Sequence, residues 1–196
     1  MQNKPFIIGI TGGSGCGKTT LLEIIREKGG LVLDCDAIYH RLVQEDSALL
    51  AAIDARFPGV VENGQLQRKK LGNIVFSDEN ALSDLNKITH SAVKADVLRQ
   101  LESKPKLAAI DAIGLFEGDL AGLCDTTVAI TAPEEFRVQR LMLREGISEE
   151  YARSRIAAQR NSAEFEALCH HTLENDSDIC AFRAKCLAFL AELGIM

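Results

Sequence analysis

The chain has 196 residues, 46% of them hydrophobic and 26% charged, which is the composition of an ordinary globular domain with a core of its own. A net charge of −6 gives no global positive field for nucleic acid or an anionic membrane, so an anionic ligand must be met by local basic groups. The six cysteines form no CxxC pair, and the apolar run Phe6–Ile10 is too short to span a bilayer, so a soluble, cytoplasmic chain with reduced thiols is expected.

In chain order, "PFIIGI" reads as a first strand, and "KTTLLEIIREKG" as a helix closed by Gly29 and Gly30. "LVLD" (Leu31–Asp34) is a second strand. A long helical insertion follows, whose longest helix is expected near Glu79–Ser103, with Leu82, Leu85, Ile88, Ala92 and Val93 at helical spacing. "LAAIDA" (Leu107–Ala112) and "TTVAIT" (Thr126–Thr131) are strands three and four. Pro133 is expected at the first position of the next helix, with Glu134 and Glu135 complementing its dipole. Gly146 ends that helix, Ser148 starts another, and "TLEN" (Thr172–Asn175) supplies a short fifth strand.

Short β segments alternating with helices predict an α/β fold, a doubly wound parallel five-stranded sheet. The expected organisation is one domain over 1–196. Its core takes 1–36, 105–135 and 166–196, with a helical acceptor-binding insertion over about 37–104 and a helical lid over about 136–165.

Between the first strand and its helix, Gly12–Thr19 satisfies G-x-x-x-x-G-K-S/T. Glycines let the backbone turn until several N–H groups converge on phosphate oxygens, and the helix N-terminus adds positive potential. Gly13, Ser14, Gly15, Cys16, Gly17, Lys18, Thr19 and Thr20 are therefore candidate nucleoside triphosphate contacts; Lys18 is expected to reach the β/γ-phosphates and Thr19 to bind Mg²⁺. The motif does not choose the reaction, because kinases, switches and motors share it. "NKIT" (Asn86–Thr89) lacks the Asp of a guanine reader and lies within a helix, which lowers the GTPase reading.

Three acidic residues fall at expected C-terminal strand ends, where doubly wound folds gather their ligands. Asp34 or Asp36 suits a carboxylate beside an acceptor hydroxyl, and Asp111, after four apolar residues, suits Mg²⁺ support. Simple helix capping explains Asp34 and Asp36 as well. Glu117 reads equally as a site carboxylate or a solvated loop residue. Arg140 and Arg144 share a helix face in the expected lid, placed to neutralise a transferring phosphoryl group; Arg153 and Arg155 read rather as surface partners of nearby glutamates. Arg68, in "QRKK", is a candidate for an anionic acceptor. His40 and His90 lie in helical segments, where a lone His is more often a structural partner. "LCHH" with Cys180 matches no standard metal spacing.

Together these segments resemble the dephospho-CoA kinase family over nearly the whole chain. "GITGGSGCGKTT" resembles its P-loop with the Thr-Gly-Gly lead-in, and "VLDCDAIYH" is similar to its D-x-D-x-I-x-H segment. "LQRKKLGNIVFSD" with "LNKITH", "DAIGLFE", and the stretch from "TAPEEF" to Gln159 resemble its substrate-domain, third-motif and lid patterns. The resemblance implies an ATP- and Mg²⁺-dependent transfer to the ribose 3′-hydroxyl of dephospho-CoA, giving CoA; a monomer or small homo-oligomer is expected. By position it makes Asp36 the base, puts Lys18 and Arg140 on the phosphates, and lays Asn175 near the adenine. Asp34, His40, Arg68, His90 and Glu117 then fall on the acceptor side. Departures stand at Ile113 and Gly114 in place of Pro-Leu, Ser91 in place of Pro, and Cys169-His170 in place of Ala-Asp. Two rival readings are another nucleoside or nucleotide kinase and a non-catalytic ATP-binding regulator. Intact Lys18, Thr19, Asp36, Asp111 and Arg140 argue against the second.

Overall fold

A computed structural model describes residues 4–195. Residues 1–3 and 196, which the expected core boundaries include, lie outside the described residues. In chain order the elements are β1 (Phe6–Thr11), α1 (Lys18–Glu27), β2 (Leu31–Asp34), α2 (Cys35–Glu45), α3 (Ser47–Arg56), β3 (Val61–Glu62), β4 (Gln65–Leu66), α4 (Arg68–Val75), α5 (Glu79–Leu101) and β5 (Leu107–Asp111). There follow a 3-10 turn at Ala121–Leu123, β6 (Thr126–Thr131), α6 (Glu134–Glu145), α7 (Glu149–Ala157), α8 (Ser162–Leu168), β7 (His171–Glu174) and α9 (Ile179–Glu192).

The main sheet is parallel throughout, in the order β2-β5-β1-β6-β7. The five expected strands are its five strands, so the doubly wound reading holds. Boundaries move by one or two residues. Pro133 precedes α6 as its cap rather than opening it, with ψ of 141°, and the fifth strand is shifted to His171–Glu174. The insertion also holds an antiparallel hairpin, β3 with β4, that the sequence pattern does not reveal.

Side chains alternate across the sheet. Ile7, Ala108 and Ile110 join a core with α2, α3 and α5, whereas Ile8, Ile10, Leu107 and Ala109 join another with α1 and α9. Strands buried on both faces need the near-continuous apolar runs seen in β1, β5 and β6. Each fully buried Ile or Leu, such as Ile8, Leu21 or Ile110, contributes about 1.5–3 kcal/mol. The helices α6 and α7 pack on each other through Val138, Leu141, Ala152 and Ile156, a small cluster separate from both main cores. Local chemistry starts the helices: Asp34, Asp46, Asp78 and Asp178 each accept a backbone N–H of the following first turn, and Asn161 with Glu164 forms a capping box.

Register sets the site. Asp111 lies opposite Ile10 on β1 and opposite Asp34 on β2, so the ends of three neighbouring strands are level. The loop of residues 12–17 leaves β1 at that level and is met by Arg137 and Arg140 of α6.

Candidate active site

The turn after β1 depends on glycine where the chain leaves the sheet. Gly12 has φ of +141°, and Gly17, before α1, has φ of +95°. The loop carbonyls are tied from behind. Lys18 Nζ donates to Gly12 O at 2.9 Å, Arg137 Nε to Ser14 O at 3.0 Å, and Arg140 Nη1 to Gly15 O at 3.2 Å. Asn175, buried just past β7, donates through Nδ2 to Cys16 O at 2.9 Å and accepts Arg140 Nη2 at 3.1 Å. With these carbonyls engaged, the loop N–H groups other than those of Ser14 and Cys16, which are already bonded, are available to a phosphate.

In front of the loop lies a cavity of about 640 Å³. Gly13, Ser14, Gly15, Gly17, Lys18 and Thr19 form one wall. Asp34 and Asp111 at the strand ends, with Asp36 from the first turn of α2, form the floor, and Arg140 and Arg144 of α6 also line the cavity. Eleven of the expected site residues therefore converge. Cys16 is buried behind the loop, where burial pushes its thiol up, and Thr20 continues α1. His40 and Arg68 pair with each other on the exposed surface at 3.4 Å and line neither this cavity nor its neighbours.

A second cavity, of about 280 Å³, opens on the insertion side between α2, α5 and the segment after β5. Tyr39, Leu85, Val93 and Leu120 make it largely apolar, and His90 adds a polar head. A third, of about 610 Å³, continues outward past His90 and Glu117. The first two share Asp36 and Ile113, and the last two share Asn86, His90 and Gly118, so a continuous groove runs from the loop to the insertion surface.

The two neighbouring aspartates separate here. Asp34 Oδ1 accepts the Ala37 N–H at 3.0 Å and caps α2. Asp36, in the first turn of α2, is exposed and hydrogen-bonded to no protein group among the described residues, and it lines both inner cavities. Capping therefore accounts for Asp34, and leaves Asp36 aimed at the junction. Between them, Cys35 is buried and pushed up to about 12 by that burial, with Asp111 and Asp36 adding to it, so it stays a thiol.

Asp111 is the most perturbed acid in the site. Burial pushes its carboxyl up to about 6; Lys18 opposes the shift, and Asp34 and Asp36 add to it. Its Oδ1 is buried without a hydrogen-bond partner among the described residues, and Lys18 Nζ stands 3.9 Å away. An orphaned carboxylate oxygen in the same cavity as Thr19 fits a divalent cation. Among the described residues no three His, Cys, Asp or Glu side chains stand close enough to cage a metal, so the cation would rely on phosphate oxygens and water, as Mg²⁺ commonly does.

The raised carboxyl also gives a stability prediction. The native chain holds this proton more tightly than the unfolded chain, so the Asp111 cost is absent below the unfolded value and complete above the folded one, near 6. In the metal-free chain Asp111→Asn should raise stability by on the order of 1–3 kcal/mol near pH 8, a gain that shrinks as pH falls through about 6 towards about 4. Thermal melting in EDTA near pH 8 and near pH 5 checks this; the same shift at both would refute it.

The sequence reading passed over two contacts. Arg137 is buried, pairs with no carboxylate among the described residues, and bonds Ser14 O and Gln159 Oε1. Gln159 in turn accepts the Ser14 N–H and donates to Ser14 Oγ, both at 2.8 Å. The position of Arg137 one turn before Arg140 was a usable signal; Gln159 carried none beyond its place in the lid. Arg153 is tied to Glu134, Glu135 and Glu149, the surface role expected of it, while Arg155 pairs with Glu145 and still lines the loop cavity. At the departure Cys169-His170, His170 Nδ1 accepts the Thr127 N–H at 3.0 Å and its own N–H returns to Thr127 Oγ1, binding the approach to β7 onto β6.

Comparison with known proteins places this arrangement. The family model for dephospho-CoA kinase matches residues 6–181. Proteins named dephospho-CoA kinase from Syntrophotalea carbinolica and Moorella thermoacetica are 35% and 34% identical, over 95% and 96% of this chain and 92% of each relative. Among solved structures, a Thermus thermophilus protein superposes with a TM-score of 0.80 at 34% identity, covering 96% of this chain and 98% of that one. A dephospho-CoA kinase from Campylobacter jejuni gives 0.67 at 26%, covering 97% and 98%. A shikimate kinase from Bacteroides thetaiotaomicron, at 15% identity and a TM-score of 0.58 over 96% and 98%, shares the fold.

Proposed function

The chain belongs to the dephospho-CoA kinase family, and from that premise we propose that it moves the γ-phosphoryl group of ATP to the ribose 3′-hydroxyl of dephospho-CoA, giving CoA and ADP. The observation that carries the residue assignment is Asp36, an unpartnered carboxylate at the junction of a phosphate-loop cavity with an apolar cavity. Phosphoryl transfer needs an acceptor hydroxyl at that junction and a base beside it.

Asp36 takes the hydroxyl proton as the oxygen attacks. Lys18 leaves its contact with Gly12 O to meet the β/γ-phosphates, while the loop N–H groups hold the β-phosphate. Arg140 and Arg144, on one face of α6, neutralise charge as it shifts towards the leaving ADP. Asn175 fixes the Cys16 carbonyl and so the wall on which the nucleotide rests. Thr19 and, directly or through water, Asp111 would hold Mg²⁺, which when bound shields the phosphate oxygens. His90 and Glu117 line the groove that takes the rest of the acceptor, and the apolar wall of Tyr39, Leu85 and Val93 excludes water. Positioning and charge neutralisation account for the chemistry. The substrate is a small molecule; no nucleic acid or membrane is required, and the setting is the cytoplasm. Among the described residues, no helix is long and apolar enough to cross a membrane.

The test is ADP release from ATP and Mg²⁺ with dephospho-CoA, beside a panel of nucleosides and nucleotides. Turnover with dephospho-CoA alone, stopped by EDTA and restored by Mg²⁺, is the expected result. Turnover only with nucleosides would remove the acceptor, and none with any acceptor would remove the kinase.

A further inference from the structure

Two consecutive residues past the end of α7 touch both walls of the site. Gln159 holds Ser14 of the phosphate loop through two hydrogen bonds. Arg160 holds Glu117 of the acceptor groove, with Nε donating at 2.8 Å and Nη2 standing at 2.6 Å, both to Oε1. The other oxygen of Glu117 is turned elsewhere. A Cβ on Gly114 would lie 3.8 Å from Glu117 Oε2 and 4.0 Å from His90 Nε2, so these two heads converge on the glycine at the groove. One carboxylate therefore faces the lid with one oxygen and the acceptor side with the other.

The Arg160–Glu117 pair is about two-fifths exposed on each side, and pairs of that kind add little to stability. Its geometry fits a different task. Neighbouring α-carbons are about 3.8 Å apart, so holding Arg160 limits how far the backbone of Gln159 can move. Fixing Glu117 around a bound acceptor fixes Arg160, and with it the grip of Gln159 on Ser14.

We propose that Gln159 and Arg160 form a strap that couples acceptor binding to nucleotide binding, with Arg160 a positioning residue acting through Glu117; this rests on the kinase reading above. A ligand that orders one end of the strap leaves less ordering cost for the ligand at the other. Such coupling acts equally in both directions.

The experiment is equilibrium binding of a non-hydrolysable ATP analogue to the full chain, with and without saturating dephospho-CoA. In the wild-type chain the acceptor should lower the Kd of the analogue about fivefold, at the low end of ordinary couplings. In Arg160→Ala that ratio should fall to about one, with acceptor-free Kd changed less than about twofold. Arg160→Lys keeps the charge and should recover part of the ratio, which a role in folding alone would not do. A wild-type ratio near one, or a full ratio in Arg160→Ala, overturns the strap. ADP release on the same preparations separates the outcomes: a chain that turns over dephospho-CoA but shows no strap-dependent ratio keeps its function and loses the coupling.

Discussion

Asp36→Asn should lower kcat by about a hundredfold to ten-thousandfold, the range a positioned general base supplies. Its affinity for ATP should change no more than about threefold, because the groups assigned to the nucleotide are the loop N–H groups, Lys18, Arg140 and Asn175. The substitution is close to isosteric, and Asp36 is exposed and bonds no described protein group, so the fold has little to lose. What disappears is the ability to accept a proton at the junction of the two cavities. Steady-state kinetics with dephospho-CoA and titration of ATP check both halves. A fall smaller than about tenfold would pass the proton to another group, with Asp34 the nearest in sequence. Lost ATP affinity with normal turnover would refute the assignment altogether.

The largest effect on stability is expected at Gly12. Its φ of +141° is a conformation that L side chains rarely adopt, and an added Cβ would come 2.2 Å from the carbonyl oxygen of Ile130. That oxygen belongs to β6, whose pairing with β1 runs from Ile8 opposite Thr126 to Thr11 opposite Ala129, so it cannot withdraw without breaking the sheet. Backbone strain of about 1–3 kcal/mol and overpacking of similar size together give about 2–6 kcal/mol. For a chain of this length that corresponds to a drop in Tm of about 5–20 °C. Gly59→Ala is the control. It also has positive φ, +82°, but nothing stands within 4 Å of the added carbon, so strain acts alone. Melting Gly12→Ala within about 3 °C of the Gly59→Ala variant would show that the close approach costs nothing.

The parts of this molecule legible in the sequence are those whose information is local. The run from Gly9 to Thr19 carries strand, turn and helix start within a dozen residues, and apolar runs reveal the strands because both faces of the sheet are covered. Spacing alone does not separate Asp34 from Asp36, and the resemblance favours Asp36. The start of α2 supplies the physical reason, since the residue before the helix must cap it and the residue in its first turn is free to face the cavity. The β3–β4 hairpin escaped because two-residue strands have no period to detect. Gln159 and Arg160 escaped for another reason. Their partners, Ser14 and Glu117, are 145 and 43 residues away, and no local pattern encodes a meeting at that range. His40 and Arg68 looked like groove residues by resemblance, yet they meet each other on the surface.

The small cluster between α6 and α7 has a thermodynamic meaning. Val138, Leu141, Ala152 and Ile156, with Ile147 against them, are few apolar contacts for two helices. The order of that unit is therefore borrowed, largely from Arg137, Arg140 and Gln159 gripping the phosphate loop. A unit stabilised by loan can detach while the sheet beneath stays folded. Its amides belong among those that exchange with solvent early, and whatever stiffens the loop lends the helices their protection.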